Sequence, residues 1–533
     1  MTSQSTSLFS LVEELLKEEE LLKQGGGQKG KERQLRLNRL TARERLALLL
    51  DNLDDFFEIN LWAGFKMYPH EGELPAAGVI TGIGKISGRT CMVIINDATV
   101  KAGAMFPQSV KKVLRAQKIA FECKLPTIYL VDSSGVYLPL QDEIFPDEDD
   151  FGRIFRNNAV MSAKGIPQIA AIMGNCIAGG GYLPVLCDKL LMTEGSGLYL
   201  AGPSLVKAAI GQIVDPEELG GAKMHAKISG TVDFLEKDDS SCIAKIRSLV
   251  DFFPNELERE EQFLNQSLDK IYDLVGADNQ KEYNVKELIK LIADEDSIQE
   301  YKADYGATLV TVYAKIGSIP VGIIANQRIR SFTGRGEIEI GGVIYSESAD
   351  KAARFVMDCN QMRIPLVFLQ DVVGFMVGKQ SEQTGIIRCG AKLVNAVSNS
   401  IVPKITIIIG NSFGAGNYAL CGKAYDPNFI FAWPNAKYAV MGADQAADTL
   451  FEVEKQKAER LGHPLNHEEA QTMHNKIQQR FLKQMDIRYG AARGWVDGII
   501  VPHETRNILI KTLNYSLRNP KKNLEFHTGV IQV

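Results

Sequence analysis

From about residue 76 onward, apolar positions fall in short unbroken runs, and between the runs lie stretches with one apolar face at helical spacing. GVITGIGKISGRTCMVIIND predicts two short β runs around a glycine-rich turn. A helix is predicted over Ser109 to Lys124, an apolar strand over Pro126 to Asp132, the loop SSGVYLPLQ next, and another helix over roughly Asp150 to Lys164. IPQIAAIMGNCIAGGGYLPVLCD then reads as a buried strand, a glycine loop and the start of a helix. Such alternation predicts an α/β chain with much parallel pairing. Residues 1–60 differ, being charged and helical in pattern. The segment Gly25 to Asp51 is basic until its end, and Thr41 with Glu44 fits a capping box ahead of Leu46, Leu49 and Leu50.

The same order of elements returns in the second half. AKIGSIPVGIIAN (Ala314 to Asn326) matches the first hairpin, Lys351 to Phe375 matches the helix, strand and loop, and VPKITIIIGNSFGAGNYAL (Val402 to Leu420) matches the second strand and its glycine loop. The spacing holds: Pro126 to Pro365 and Asp132 to Asp371 are each 239 residues, and Gly174 to Gly410 is 236. Order and loop chemistry repeat together, so two related domains are expected, 61–275 and 276–533, behind an arm of residues 1–60. The linker between them is expected in the polar stretch from Asn255 to Ala303.

Composition narrows the classes. Hydrophobic residues are 45% and charged residues 23%, which is globular and excludes disorder. A net charge of −5 argues against a general nucleic-acid binder. No apolar stretch is long and clean enough to span a bilayer. Met1 to Leu16 reads as an amphipathic helix, not an export or transit peptide, and a cytoplasmic location is expected. The eight cysteines form no CxxC pair and the seven histidines no cluster, so reduced core thiols and no metal site are expected. Gly82, Gly84 and Gly88 are no phosphate loop, because a strand follows them where a helix would be needed.

The candidate chemistry lies in the two matched loops, GNCIAGGGY (Gly174 to Tyr182) and GNSFGAGNY (Gly410 to Tyr418). Small residues there allow a ligand to approach main-chain N–H groups, which can hold an oxygen that gains negative charge during reaction. For one such loop alone, close packing of helix on strand is the better account; two equivalent loops point to two oxyanion holes. There is no GxSxG turn and no convincing Ser/His/acid arrangement on these loops. Catalysis without an evident side-chain base fits a base borne by substrate or cofactor.

The long segments running from VDSSGVYLPLQDEIFPDEDDFGRIF through LAGPSLVKAAIGQIVDPEELGGAKMH and FLQDVVGFMVG to GNSFGAGNYALCGKAYDPNFIFAWPNAKYAVMG resemble the carboxyltransferase (beta) subunits of biotin-dependent acyl-CoA carboxylases, most closely the methylcrotonyl-CoA type. The resemblance covers nearly the whole chain. It implies two tandem crotonase-like (ClpP/crotonase) superdomains and a homo-oligomer, usually a hexamer built as a trimer of dimers. The active site would lie between the N-domain of one subunit and the C-domain of another. It implies carboxyl transfer from carboxybiotin, carried by a separate biotin carboxylase/biotin carrier partner, to an acyl-CoA. The backbone N–H groups of Gly179 and Gly180 would hold the thioester oxygen, and those of Ala415 and Gly416 the ureido oxygen of biotin. Ser134, Gly135, Val136, Gly181 and Tyr182 would lie by the acyl thioester, and Phe375, Val377, Gly378 and Phe413 on the biotin side. Arg39, Arg43 and Arg45 would approach the phosphates of CoA. No biotin-attachment Met-Lys-Met motif and no evident ATP-grasp domain occur in the chain, so biotin and ATP chemistry would come from the partner.

Departures from the family pattern cluster by the acyl site. SGGA reads SSGV, AGGA reads AGGG at Gly181, and Leu140 stands where methylcrotonyl-type members usually carry arginine. Gln327 to Gly342 is an insertion whose Arg328, Arg330 and Arg335 would meet CoA or a partner subunit, or form a solvated hairpin. The resemblance implies 3-methylcrotonyl-CoA or a similar branched or unsaturated acyl-CoA as substrate, and these changes leave propionyl- and acetyl-CoA as alternatives. A glutaconyl-CoA decarboxylase type would run the transfer in reverse. A crotonase-type hydratase or isomerase needs carboxylates near the thioester, and the first loop has none before Asp188.

Overall fold

The computed structural model describes residues 7–253, 269–279, 281–333, 336–460, 467–519 and 524–530. Two compact units result. One is Lys17–Glu258 with Ala492–Gly494; the other is Met1–Leu16, Arg259–Ala491 and Trp495–Val533. The spans expected from sequence differ in two places. Ala42–Leu49 is a helix whose Leu46 and Leu49 belong to the core of the first unit, so residues 1–60 are not a separate arm. From residue 269 the expected linker is part of the second unit. Its helix Val285–Ile292 buries Val285, Leu288, Ile289 and Ile292, an apolar stripe that no solvated linker could carry.

Each unit is built on a sheet of the same design. In the first, the order is Phe57–Glu58, Val79–Ile86, Arg89–Asn96, Thr127–Ser133, Gln168–Ile177, Lys189–Thr193 and Phe234–Glu236. In the second it is Gln299–Glu300, Leu309–Ile316, Ile319–Asn326, Leu366–Val372, Lys404–Phe413, Phe429–Ala432 and Gly498–Ile499. In both, the first two pairings are antiparallel and the rest parallel. A short strand, Gly197–Tyr199 or Lys437–Ala439, pairs beside the far end of the fifth strand. The α/β expectation and the internal repeat are therefore what the chain forms.

Alternation along the strands creates two buried faces. In the first unit Ile128, Leu130, Ile169 and Ala171 pack with Leu46, Ile243 and Ile246. Tyr129, on the opposite face, receives a hydrogen bond from Gln117 on the helix Pro107–Cys123. In the second unit Leu366 and Phe368 pack on Phe355, Val356, Leu393 and Val397 from the helices Ser346–Gln361 and Ile386–Ser398.

The two hairpins are tied down alike. Ser87 and Gly88, and again Gly317 and Ser318, all have positive φ, as a two-residue turn matching strand twist requires. Asp51 accepts from the Ser87 and Gly88 N–H groups (2.8 and 2.7 Å), and Asp294 from Gly317 and Ser318 (2.9 and 2.7 Å). Arg247 pairs with Asp51 at 2.7 Å and Arg506 with Asp294 at 2.5 Å. Burial raises both carboxyls, but the N–H bonds and the arginines outweigh it and hold them below their usual pKa.

Candidate active site

Both glycine loops leave their sheets through the same irregularity. Val131 faces Ile172 but Ser133 faces Cys176; Gln370 faces Ile408 but Val372 faces Ser412. The loop strand therefore carries two extra residues at each place, a bulge that strands a backbone N–H outside the ladder. The aspartate facing the bulge from the neighbouring strand satisfies it. Asp132 accepts from Asn175 N at 3.2 Å, and Asp371 from Asn411 N at 2.8 Å. The glycines before these asparagines make room. A Cβ on Gly174 would lie 2.0 Å from the Asp132 carboxylate, and one on Gly410 2.4 Å from that of Asp371.

The aspartates have different partners. Arg45, 1% exposed, pairs with Asp132 at 3.3 Å and Asp239 at 2.8 Å, and donates to the Met173 carbonyl at 2.9 Å. Asp371 pairs with Arg328 at 3.2 Å and accepts from the Tyr283 hydroxyl at 3.0 Å. Burial pushes the Asp371 carboxyl above its usual pKa, against the pull of Arg328 and the Asn411 N–H. Arg328 also donates to the Asn279 carbonyl at 2.6 Å.

Of the expected basic residues, Arg45 is corrected here. Arg45 cannot reach a CoA phosphate, because it is a buried counter-ion to two carboxylates. Arg43 is held by two 2.7 Å hydrogen bonds to Glu58. Arg39 donates to the Gly195 carbonyl at 3.0 Å and lies 3.8 Å from Asp132. Within the insertion, Ser331–Phe332 and Ile338–Glu339 form the hairpin. Arg328 at its base is buried on Asp371 and so does not meet CoA or a partner, Arg330 pairs with Glu282 at 3.3 Å, and Arg335 lies outside the described residues.

Other expected residues come together within each unit. Gly179, Gly180 and Gly181 lie in the single turn Ala178–Gly181. Gly135 runs beside it, its Cβ position 3.3 Å from the Ile177 carbonyl, with Ser134 exposed and Val136 half-buried. Tyr182, 51% exposed, opens the following helical turn near Phe155. Leu140 packs in an apolar cluster with Phe106 and Tyr137. In the second unit Ala415 is exposed and Gly416 buried at the start of the helix Gly414–Ala419, with Phe413 buried before it. A Cβ on Gly416 would lie 2.4 Å from Val372 Cγ2, which ties this turn to the loop Asp371 to Gly378. Phe375 in that loop packs on the core, whereas Val377 and Gly378 are exposed.

Sequence reasoning passed over Asp132, Asp371 and their arginines as functional supports. The signal was present in the matched spacing of the aspartates and of Gly174 and Gly410. It also passed over Tyr418, the half-exposed counterpart of Tyr182.

Residues 33–531 match the family model described as carboxyl transferase domain. The chain belongs to the carboxyl transferase family. It is 43% identical over 524 residues to the mitochondrial methylcrotonoyl-CoA carboxylase beta chain of Dictyostelium discoideum, covering 96% of this chain and 86% of that one. It is also 43% identical over 503 residues to the biotin-dependent 3-methylcrotonyl-coenzyme A carboxylase beta1 subunit of Mycobacterium tuberculosis, covering 93% and 92%. Among solved structures, the beta subunit of P. aeruginosa geranyl-CoA carboxylase matches with a TM-score of 0.85 at 33% identity, over 99% of this chain and 96% of that one. The carboxyl transferase chain is thus an enzyme subunit of the beta type, with the two-domain crotonase-like fold. Among the described residues no helix is long and apolar enough to cross a membrane, and no group of acids, histidines and cysteines is arranged to hold a metal.

Proposed function

We propose that this carboxyl transferase moves a carboxyl group from carboxybiotin on a partner's carrier domain to a branched or unsaturated acyl-CoA such as 3-methylcrotonyl-CoA. The observation that supports this most is the pair of glycine loops, each leaving its sheet at an aspartate-filled bulge, in a chain related to methylcrotonoyl-CoA carboxylase beta chains. Bound carboxybiotin supplies the carboxyl group and leaves a ureido nitrogen able to take the thioester's proton. The chain's own part is main-chain positioning. The N–H groups of Gly179 and Gly180 receive the thioester oxygen as it gains charge, and those of Ala415 and Gly416 receive the ureido oxygen. Both turns fit such a role, since small residues leave their N–H groups approachable. Ser134, Val136 and Tyr182 border the acyl side, and Phe375 and Val377 the biotin side. In this reading the chain works in the cytoplasm as a hexamer with a biotinylated partner subunit.

A panel of methylcrotonyl-, geranyl-, propionyl-, acetyl- and glutaconyl-CoA, assayed with the cognate biotinylated partner, tests the substrate class; no turnover of any of them sinks the reading. Replacing Ala415 by a bulky residue should abolish transfer to free biotin with the native mass unchanged. Cell fractionation and native mass measurement test the location and the assembly.

A further inference from the structure

Among the described residues, one closed set of side chains has no counterpart at the matched positions of the other half. The Ser412 hydroxyl donates to Gln370 Oε1 at 2.6 Å, and Asn417 Nδ2 donates to Ser412 Oγ at 2.8 Å. Gln370 Nε2 closes the ring by donating to the main-chain carbonyls of Leu420 at 2.6 Å and Asn417 at 3.4 Å. Asn417 Nδ2 also donates to the Tyr438 hydroxyl at 2.9 Å, and its carbonyl accepts from Gly422 N at 2.8 Å. All three ring members are buried. In the first half the matched positions are Val131, Cys176 and Gly181, and neither valine nor glycine has a side-chain hydrogen-bonding group.

The ring joins three elements around the turn that holds Ala415 and Gly416. Gln370 is on the strand Leu366–Val372, Ser412 ends the strand Lys404–Phe413, and Asn417 lies in the helix Gly414–Ala419. Rotating that short helix would break several buried bonds at once, and each buried polar atom so orphaned is costly. We infer that Gln370, Ser412 and Asn417 are positioning residues that fix the Ala415 and Gly416 N–H groups for the biotin ureido oxygen. This rests on the function proposed above. An oxygen held by preset donors costs no reorganisation during the reaction, so a donor that drifts weakens binding and slows transfer.

The test uses the full-length chain with free biotin as acceptor and the carboxylated form of an accepted acyl-CoA as donor. The carboxyl group leaves the acyl carbon for the ureido nitrogen, and the proton on that nitrogen moves to the acyl carbon. Ser412→Ala should raise KM for biotin about fivefold and lower kcat about tenfold, leaving KM for the acyl-CoA unchanged. Ser412→Thr, which keeps the hydroxyl, should restore both to within about twofold of wild type. Amide hydrogen exchange over Gly414 to Leu420 should quicken about tenfold in Ser412→Ala, in the free chain without any substrate. An active wild type with unchanged biotin kinetics in Ser412→Ala overturns the inference. So does an equal loss of affinity for biotin and acyl-CoA, which would mean general damage. A wild type that transfers nothing to biotin overturns the functional reading itself, and the inference with it.

Discussion

The two glycine loops start alike and end differently. Each begins at a bulge filled by an aspartate, with a glycine cut back to admit the carboxylate. Beyond that point the first continues as a turn of three glycines, and a Cβ on Gly180 would meet only Phe151 Cζ at 3.9 Å. The second continues as a helix whose Gly416 is pressed against Val372 and whose Asn417 is held by side chains. The same residue type thus serves opposite needs. Gly416 is required by a neighbour, whereas the space at Gly180 is open. Gln370, Ser412 and Asn417 staple the second backbone with side-chain hydrogen bonds, and the matched Val131 and Gly181 carry no side-chain group that could do so. On the function proposed above, the stapled second loop would hold the ureido oxygen and the open first loop the thioester oxygen.

The comparison breaks most readily at the buried charges. Arg45→Met leaves Asp132 and Asp239 without their main cation and should cost about 3–5 kcal/mol in urea unfolding. Arg328→Met should cost less, because it uncovers one carboxylate where Arg45→Met uncovers two, and Asp371 keeps the Tyr283 hydroxyl; an equal loss would show that the second carboxylate at Arg45 adds nothing. Next comes the glycine contrast. Gly416→Ala overpacks against Val372 and should destabilise by about 1–3 kcal/mol, while Gly180→Ala should leave stability within about 0.5 kcal/mol. Thermal unfolding of the two variants side by side decides it.

A matched pair of lysines gives a smaller effect. Lys112 donates to the Ala76 carbonyl at 3.1 Å and Lys351 to the Lys302 carbonyl at 3.3 Å, both from buried positions 239 residues apart. Burial lowers their pKa to about 7 and about 8. Between those values and about 10.4 the unfolded chain binds more protons than the folded one, so each lysine's contribution to stability rises with pH. Wild type should gain on Lys112→Met by at most about 1.4 kcal/mol per pH unit from pH 7 upward, and on Lys351→Met from about one unit later. Urea midpoints at pH 7, 8 and 9 measure this; parallel curves would refute it. The smallest effect is expected at Cys176, which stands where Ser412 stands in the other loop. Cys176→Ala should change KM for acyl-CoA less than about twofold, because no polar ring depends on it.

Much of this was legible along the chain. The order of strands and helices, the two hairpins, the repeat and the two loops all follow from local apolar patterning and matched spacing. The capping box at Thr41 and Glu44 forms as its spacing requires. Arg45 misled because a positive charge in sequence carries no information about its partner. Arg45 meets an aspartate 87 residues away and another 194 away. The linker misled because polar residues on one face of Val285–Ile292 masked the apolar stripe on the other.

What the amino-acid order determined by itself is therefore the set of elements and their duplication, since strand and helix periodicity are local properties. Only the tertiary structure decided which arginines are counter-ions, which glycines are pressed by a neighbour, and that one loop is stapled where the other is open. The reason is physical: charge pairing, Cβ clearance and closed hydrogen-bond rings depend on distances between residues far apart in the chain, and those distances exist only once the sheet has formed.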